Sequence, residues 1–373
     1  MRTVVLSDLH IGTANDSDLL RRPSFLARLI EFVEGADRLV LLGDVLELRD
    51  RPLARVVELA GPVFEGLGRA VGEGGEIVVA AGNHDHHLVE SWLEQRALTA
   101  AEPLGLEHFE EPDGALAALA ERARPTRVRL AYPGLWLADG VYATHGHFLD
   151  RHLTIPTFER LGIAMVERVL GTPPAGDPLA PPEGDDPITP DEYEAAQAPV
   201  YALLYALAQA SAPTRVTGVA PSTRVWQALG GGEGRAAKVR GWLLGTVAVP
   251  GAVGVANRLG LGPVRSDLSP DAITSGGVTA MAEVVGRLEI EAPWVVFGHT
   301  HRRGPREGEE PWRAGETTSL LNTGSWVHSP GVLGRTAEES GWWPGTAAEI
   351  DGGEPRLVHL LEELSREDLA RTD

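Results

Sequence analysis

Three short apolar runs near the start of the chain, TVVLS (3–7), RLVLLG (38–43) and EIVVAAG (76–82), are rich in β-branched and aliphatic residues and too short for helices. Helical spacing separates them: Phe25, Leu26, Leu29, Ile30 and Val33 share one face in the first interval, and a longer pattern fills 53–71 in the second. Strand, helix, strand, helix, strand in this rhythm leaves few folds open. Short crossovers that return each strand parallel to the last predict an α/β layered core. Around 127–145 the texture changes to closely spaced runs, RVRLAY, LWLAD and VYATHG. Strand character resumes at PWVVFGH (293–299), SLLNTG (319–324), TAAEI (346–350) and RLVHLL (356–361).

The long interval between these blocks has no strand pattern. The chain is therefore expected to be a core built from 1–150 and 286–373, with an inserted, mainly helical cap over 151–285. Within the insertion, a helical stretch follows Pro156, and GTPPAGDPLAPPEGDDP (171–187) reads as a mobile loop. Thr189 then opens a helix, with Pro190 at the first helical position and Glu192 at capping-box spacing. Its tyrosines, Tyr193, Tyr201 and Tyr205, are expected in packing. WLLGTVAVPGAVGVANRLGLG (242–262) is apolar, but its charge-free part, 242–257, is shorter than the roughly 20 residues of a spanning helix. Flanked by Lys238, Arg240 and Arg258, it is instead a candidate for contact with a membrane surface.

Composition narrows the chemistry. With 53 acidic against 33 basic residues, the formal charge of -20 repels polyanions, so long nucleic acid is not an expected partner. No cysteine is present, which excludes disulfides, thiolate nucleophiles and zinc–sulfur sites. Any metal must be held by His, Asp, Glu or Asn. The N-terminus enters a strand directly, and a cytoplasmic protein, peripheral at a membrane if the apolar segment docks there, is the expectation.

Histidine and acid concentrate at five strand ends: SDLHIG (Asp8, His10), LGDVLE (Asp44, Glu47), GNHD (Asn83, His84, Asp85), THGH (His145, His147) and GHTH (His299, His301). Positions i and i+2 of an extended chain share a face, so Asp8 and His10, and likewise His299 and His301, point the same way. Carboxylate oxygen beside imidazole nitrogen suits divalent Mn, Fe, Co, Ni or Zn.

In this order the motifs resemble the calcineurin-like metallophosphoesterases, whose pattern is D-x-H, G-D-x-x-(D/E), G-N-H-(D/E), H-G and G-H-x-H on a two-sheet α/β sandwich. The resemblance implies two divalent ions, manganese foremost. Asp8, His10 and His301 would hold one, Asn83, His145 and His299 the other, and Asp44 would bridge them. A metal-activated hydroxide would then cleave a phosphomonoester, phosphodiester or pyrophosphate bond of a small phosphorylated substrate selected by the cap. His84 would protonate the leaving group, with Asp85 orienting its ring, Glu47 supporting a ligating histidine and His147 standing behind the ligands or facing substrate. The core motifs look most like the branch that includes UDP-2,3-diacylglucosamine pyrophosphohydrolases, which act on lipid-linked nucleotides at the membrane surface. Two departures stand out: LRDRP replaces the usual aromatic continuation after Glu47, and the insertion is longer. A non-catalytic scaffold of the same fold is the alternative, but such proteins normally have eroded ligands, and here none is missing. His86, His87, His108, His152, His328 and His359 are expected at the surface, in packing or behind the ligands, and Asn322 and Ser325 of NTGSWV as structural support.

Overall fold

The structure, a computed structural model, describes residues 1–99, 101–170, 186–210, 254, 256–259, 261–267 and 269–371. Its elements in chain order are β1 (Arg2–Leu6), α1 (Pro23–Val33), β2 (Arg38–Leu42), α2 (Leu53–Val71), β3 (Glu76–Ala80), α3 (His87–Thr99), β4 (Phe109–Glu110), α4 (Gly114–Arg122), β5 (Arg127–Ala131), β6 (Gly134–Ala138) and β7 (Val141–Thr144). After these come α5 (Phe158–Leu170), α6 (Pro190–Ala210), α7 (Pro270–Arg287), β8 (Trp294–Phe297), β9 (Arg313–Ala314), β10 (Thr318–Asn322), β11 (Thr346–Asp351), β12 (Arg356–His359) and α8 (Arg366–Ala370). The chain divides into two compact units: Met1–His147, Tyr201–Gly218 and Ile290–Asp373 form one, Phe148–Val200 and Val219–Glu289 the other.

The first unit contains two sheets, a seven-stranded one in the order β12-β11-β1-β2-β3-β5-β4 and a five-stranded one in the order β6-β7-β8-β10-β9. In the larger sheet β1, β2, β3 and β5 run parallel, Val4 beside Leu39, Leu39 beside Ile77 and Ile77 beside Val128. In the smaller, β7, β8 and β10 are parallel, with Tyr142 beside Val295 and Val295 beside Leu320. Side chains alternate faces along a strand, and the sequence uses both. Val5, Val40, Leu42, Val78 and Ala80 share one buried cluster with Leu135, Ala143, Val296 and Leu321 of the smaller sheet. Leu6, Leu39, Leu41, Ile77 and Val79 face the other way, onto Phe25, Leu29 and Val33 of α1 and Val56, Ala60, Phe64 and Leu67 of α2. The parallel strands with helices packed on them make the layered α/β core that the strand pattern predicts, and the second sheet completes the mixed α/β sandwich that the resemblance implies.

The described part of the second unit is helical. Arg160 of α5 is buried and donates to the carbonyls of Leu153 (3.0 Å) and Gly262 (3.1 Å). At the start of α6 the predicted capping box is present: the Thr189 N–H donates to Glu192 Oε2 (2.8 Å), and the Glu192 N–H donates to Thr189 Oγ1 (3.3 Å). Tyr193 stacks on Phe148 at 4.7 Å, and its hydroxyl is 2.6 Å from His152 Nε2. The segment 171–187 and the apolar stretch 242–262 fall mostly outside the described residues. Among the described residues no helix is long and apolar enough to cross a membrane.

Candidate metal centre

Each motif sits where an apolar strand of the first unit runs out. β1 leads into Asp8 and His10, β2 into Asp44 and Glu47, β3 into Asn83 and His84, β7 into His145, and β8 into His299 and His301. Both sheets therefore deliver side chains to one place. The backbone bends hard to do so. Asp8, His10, Asp44, His299 and His301 all have φ between 45° and 67°, a left-handed conformation that non-glycine residues adopt at a cost of about 1–3 kcal/mol each. Gly43 (φ 82°) makes the close approach possible: a Cβ there would lie 2.3 Å from the His145 ring. Main-chain bonds stitch the ends together, Asp8 N–H to Gly43 O (3.1 Å), His10 N–H to Asp44 O (2.8 Å) and Gly298 N–H to His145 O (2.9 Å).

Two groups of ligand atoms result, Asp8–His10–His301 and Asp44–His145–His299. In the first, His10 Nε2 is 3.1 Å from His301 Nε2, and Asp8 Oδ1 is 3.3 Å from the same atom. In the second, His145 Nε2 is 3.3 Å from Asp44 Oδ2 and 3.2 Å from Asn83 Oδ1. Asp44 Oδ2 also lies 3.5 Å from His10 Nε2, so this carboxylate stands between the groups. His84 Nε2 is 4.0 Å from the same oxygen, which makes His10, Asp44 and His84 a third grouping.

The donors fit divalent cations. Ligand nitrogens and oxygens about 2.0–2.2 Å from one ion stand roughly 3 Å apart, which is the spacing here. Tautomers agree: His145 Nδ1 donates to Leu42 O (3.0 Å) and His10 Nδ1 to Glu47 Oε2 (3.0 Å), turning each Nε2 lone pair into the pocket. Asp8 Oδ1 is buried and makes no hydrogen bond among the described residues. The Asn83 side-chain amide lies against the atoms of the second group, 3.1 Å from Asp44 Oδ2 and 3.2 Å from Asp44 Oδ1, His145 Nε2 and His299 Nδ1, where its oxygen can complete that group.

Electrostatics point the same way. Burial alone would depress His10, but the Glu47 hydrogen bond and the charges of Asp44, Glu47 and Asp8 raise it to about 9. Burial likewise opposes charge on His145, yet Asp44 and Asp8 bring it to about 9. Asp8, despite burial, falls to about 2 beside His301 and His145. The metal-free pocket thus gathers protons as stand-ins for the cationic charge that buried carboxylates require.

The comparisons agree with this geometry. Residues 1–180 match the family of calcineurin-like phosphoesterases. No curated protein matches the chain. This match indicates a phosphate-ester hydrolase, and with the histidine–aspartate clusters it points to divalent metal ions. His299 and His301 lie beyond the matched residues; the fold of this phosphoesterase brings them to the others.

One expectation about the phosphoesterase site needs correction. Asp85 does not orient His84. Neighbours on a tight turn point apart, and the Asp85 carboxylate accepts from the N–H groups of Val45 (2.7 Å), Leu46 (3.2 Å) and Gly82 (2.7 Å), tying the ends of β2 and β3 together. Burial and the Asp44 charge raise it to about 6. Glu47 takes the orienting place: His84 Nδ1 is 2.8 Å from Glu47 Oε2, so one carboxylate serves both His84 and His10. The His84 pKa is not held up but lowered, by burial first. His147 is buried behind His145, with Nε2 3.3 Å from the Tyr132 hydroxyl, and burial with the neighbouring histidines pushes it well below the usual range.

The other histidines spread over packing. His86 is buried against Tyr132 and Tyr201, His87 stacks on Tyr205 at 3.9 Å, and His108 stacks on Trp92 at 4.4 Å. Asn322 Nδ2 donates to Gly298 O (2.7 Å) and so braces the GHTH turn. Sequence reasoning missed Arg49, whose Nη2 donates to Asn83 O (2.6 Å) and whose guanidinium lies 5.2 Å from the centre of the Tyr201 ring. Its position two residues beyond Glu47 was the available signal.

Proposed function

We propose that the protein is a dinuclear metal-dependent phosphohydrolase that cleaves a phosphate ester or anhydride bond of a small substrate, with manganese as its working metal. The observation that carries this is Asp44 Oδ2, within 3.5 Å of His10 Nε2 and 3.3 Å of His145 Nε2, one carboxylate common to two ligand groups. Asp8, His10 and His301 would hold one ion, Asn83, His145 and His299 the other, and Asp44 both. Bound cations supply Lewis acidity, polarising a phosphoryl oxygen and lowering the pKa of water towards neutrality. The protein supplies position and protons. His84, His299 and His301 are the half-exposed members of the pocket and mark its mouth. His84 carries a proton at Nε2 when charged, while Glu47 fixes its ring through Nδ1, and that proton goes to the departing oxygen.

The acidic charge disfavours long nucleic acid. The likeness of the core motifs to the UDP-2,3-diacylglucosamine pyrophosphohydrolases makes a lipid-linked nucleotide the first natural substrate class to assay, with the inserted helical segment setting the choice. The general test is hydrolysis of p-nitrophenyl phosphate and bis-p-nitrophenyl phosphate by metal-stripped protein reloaded with manganese. His84→Ala should keep both ions and lose about 10²–10⁴ in rate. Asp44→Ala should lose ions and activity together. No metal-dependent release on these esters or on a lipid-linked nucleotide, with two ions bound, would leave a metal-binding scaffold and overturn the reading.

A further inference from the structure

The hydroxyl of Ser7 lies directly behind the first group of ligand atoms. Ser7 follows β1 and contacts Asp8 Oδ2, Thr323 Oγ1 (2.6 Å) and the carbonyl of Gly324 (3.1 Å). Ser7, Asp8 and Thr323 are all buried. One hydroxyl proton has three oxygens within reach, and the ionised carboxylate is the strongest acceptor among them. Ser7 therefore donates to Asp8 and accepts from Thr323. The other acceptor near the Thr323 hydroxyl, Phe297 O, is 3.4 Å away and already takes the Thr323 N–H (2.9 Å). Each hydroxyl in this relay both receives and gives, which polarises the two bonds in one direction. The relay joins the end of β10 in the smaller sheet to the end of β1 in the larger.

Its effect falls unequally on the two oxygens of Asp8. Oδ2 accepts from Ser7 Oγ and from the His299 N–H (2.9 Å). The turn at Gly298 closes over this oxygen: a Cβ there would lie 2.3 Å from Ser7 Oγ and 2.5 Å from Asp8 Oδ2. Oδ1 is buried, makes no hydrogen bond among the described residues and lies 3.3 Å from His301 Nε2. With two donors on one oxygen and none on the other, the carboxylate cannot turn without breaking both bonds. A single oxygen is thus offered beside His10 and His301. Resting on the dinuclear reading of the pocket, we propose that Ser7, polarised by Thr323, is a positioning residue that fixes Asp8 as a one-oxygen ligand of the first ion. Ser7 touches neither ion nor substrate. Acting only through Asp8, it should alter the first ion and spare the second, which Asp8 does not hold.

The test is stepwise calorimetric titration of full-length, metal-stripped protein with manganese, with the visible absorption of the cobalt(II)-loaded protein recorded in parallel. Ser7→Ala should weaken one of the two binding steps by about 10–100-fold, the range for removing a hydrogen-bonded partner of a ligand, and leave the other in place. It should also shift the visible band of one cobalt ion per chain and not that of the other. Thr323→Val keeps the shape and removes the donor, and should weaken the same step by about 2–10-fold, the scale of one hydrogen bond. Thr323→Ser, which keeps the hydroxyl, should match the unsubstituted protein. Unchanged steps and an unchanged cobalt spectrum in Ser7→Ala overturn the assignment. So do equal losses at both steps with a lower Tm of the metal-free protein, which would make the relay a brace of the fold. If Ser7→Ala does not fold, Thr323→Val against Thr323→Ser decides by the same criteria. Absence of manganese binding to the unsubstituted protein overturns this role and the dinuclear reading together. Selective loss of one step in a protein that hydrolyses no ester leaves the positioning role standing and refutes the phosphohydrolase reading. Ester hydrolysis with both steps unmoved in Ser7→Ala does the reverse.

Discussion

At the scale of single residues, Glu47 links the two kinds of chemistry in the pocket. Its carboxylate accepts from His10 Nδ1 and His84 Nδ1, so it sets the ring of a metal ligand and that of the proposed acid together. Glu47→Gln removes the charge and leaves the shape. The expected result is about 10–100-fold weaker metal binding, the usual cost of losing a partner behind a ligand, together with a fall in kcat that excess manganese does not restore. Full recovery at saturating metal would show that Glu47 acts on His10 alone. The histidines also fix a pH dependence. His10 and His145 are raised from 6.5 to about 9 in the metal-free protein, so their contribution to its stability is complete below about pH 6.5 and is lost as pH rises through 9. Divalent ions displace these protons, so metal affinity should climb between pH 6.5 and 9 and then level off. Titrations of manganese in buffers of different ionisation enthalpy measure the released protons directly; no release at pH 7 would contradict protonated histidines in the empty pocket.

At the scale of elements, function depends on how closely the ends of neighbouring strands approach. A Cβ on Gly82 would lie 2.4 Å from Asp44 Oδ1 and 2.8 Å from His145 Cδ2, whereas one on Gly74 would meet nothing within 4 Å. Gly82→Ala should therefore destabilise by about 1–3 kcal/mol through overpacking and weaken metal binding, while Gly74→Ala should leave both unchanged. Denaturant unfolding with metal analysis distinguishes the pair, and equal midpoints would refute the crowding. The longer strands were legible because each is an apolar run, and β1, β2, β3, β7 and β8 each lead into a polar motif, whereas the two-residue β4 and β9 carry no such signal. The motifs were legible because Asp8 and His10, or His299 and His301, need only local spacing. By contrast, α3 reads HLVESWLEQRALT, in which only Leu88 and Val89 are fully buried, so no apolar stripe announces it. The pairing of Glu47 with His84 and the stacking of Arg49 on Tyr201 depend on which strand ends and which part of α6 meet in space. Spacing along one segment carries no trace of that.

At the scale of the whole molecule, three of the acidic residues behind the formal charge of -20, Asp8, Asp44 and Glu47, are buried together in the pocket. Divalent cations that bind only the folded state stabilise it by mass action, by about 2.7 kcal/mol at a hundredfold excess over Kd. Manganese should raise the calorimetric Tm in proportion to the logarithm of its free concentration, and chelator should reverse the rise; a Tm indifferent to both would mean that the pocket binds no ion. Asp8 follows the first strand, and His301 follows a strand reached only after the whole insertion. An ion shared by the two would close most of the polypeptide into a ring, across two sheets and without a sulfur atom. Unlike a disulfide, such a closure opens whenever free metal becomes scarce. The folded lifetime of this chain would then follow the metal supply around it rather than the redox potential.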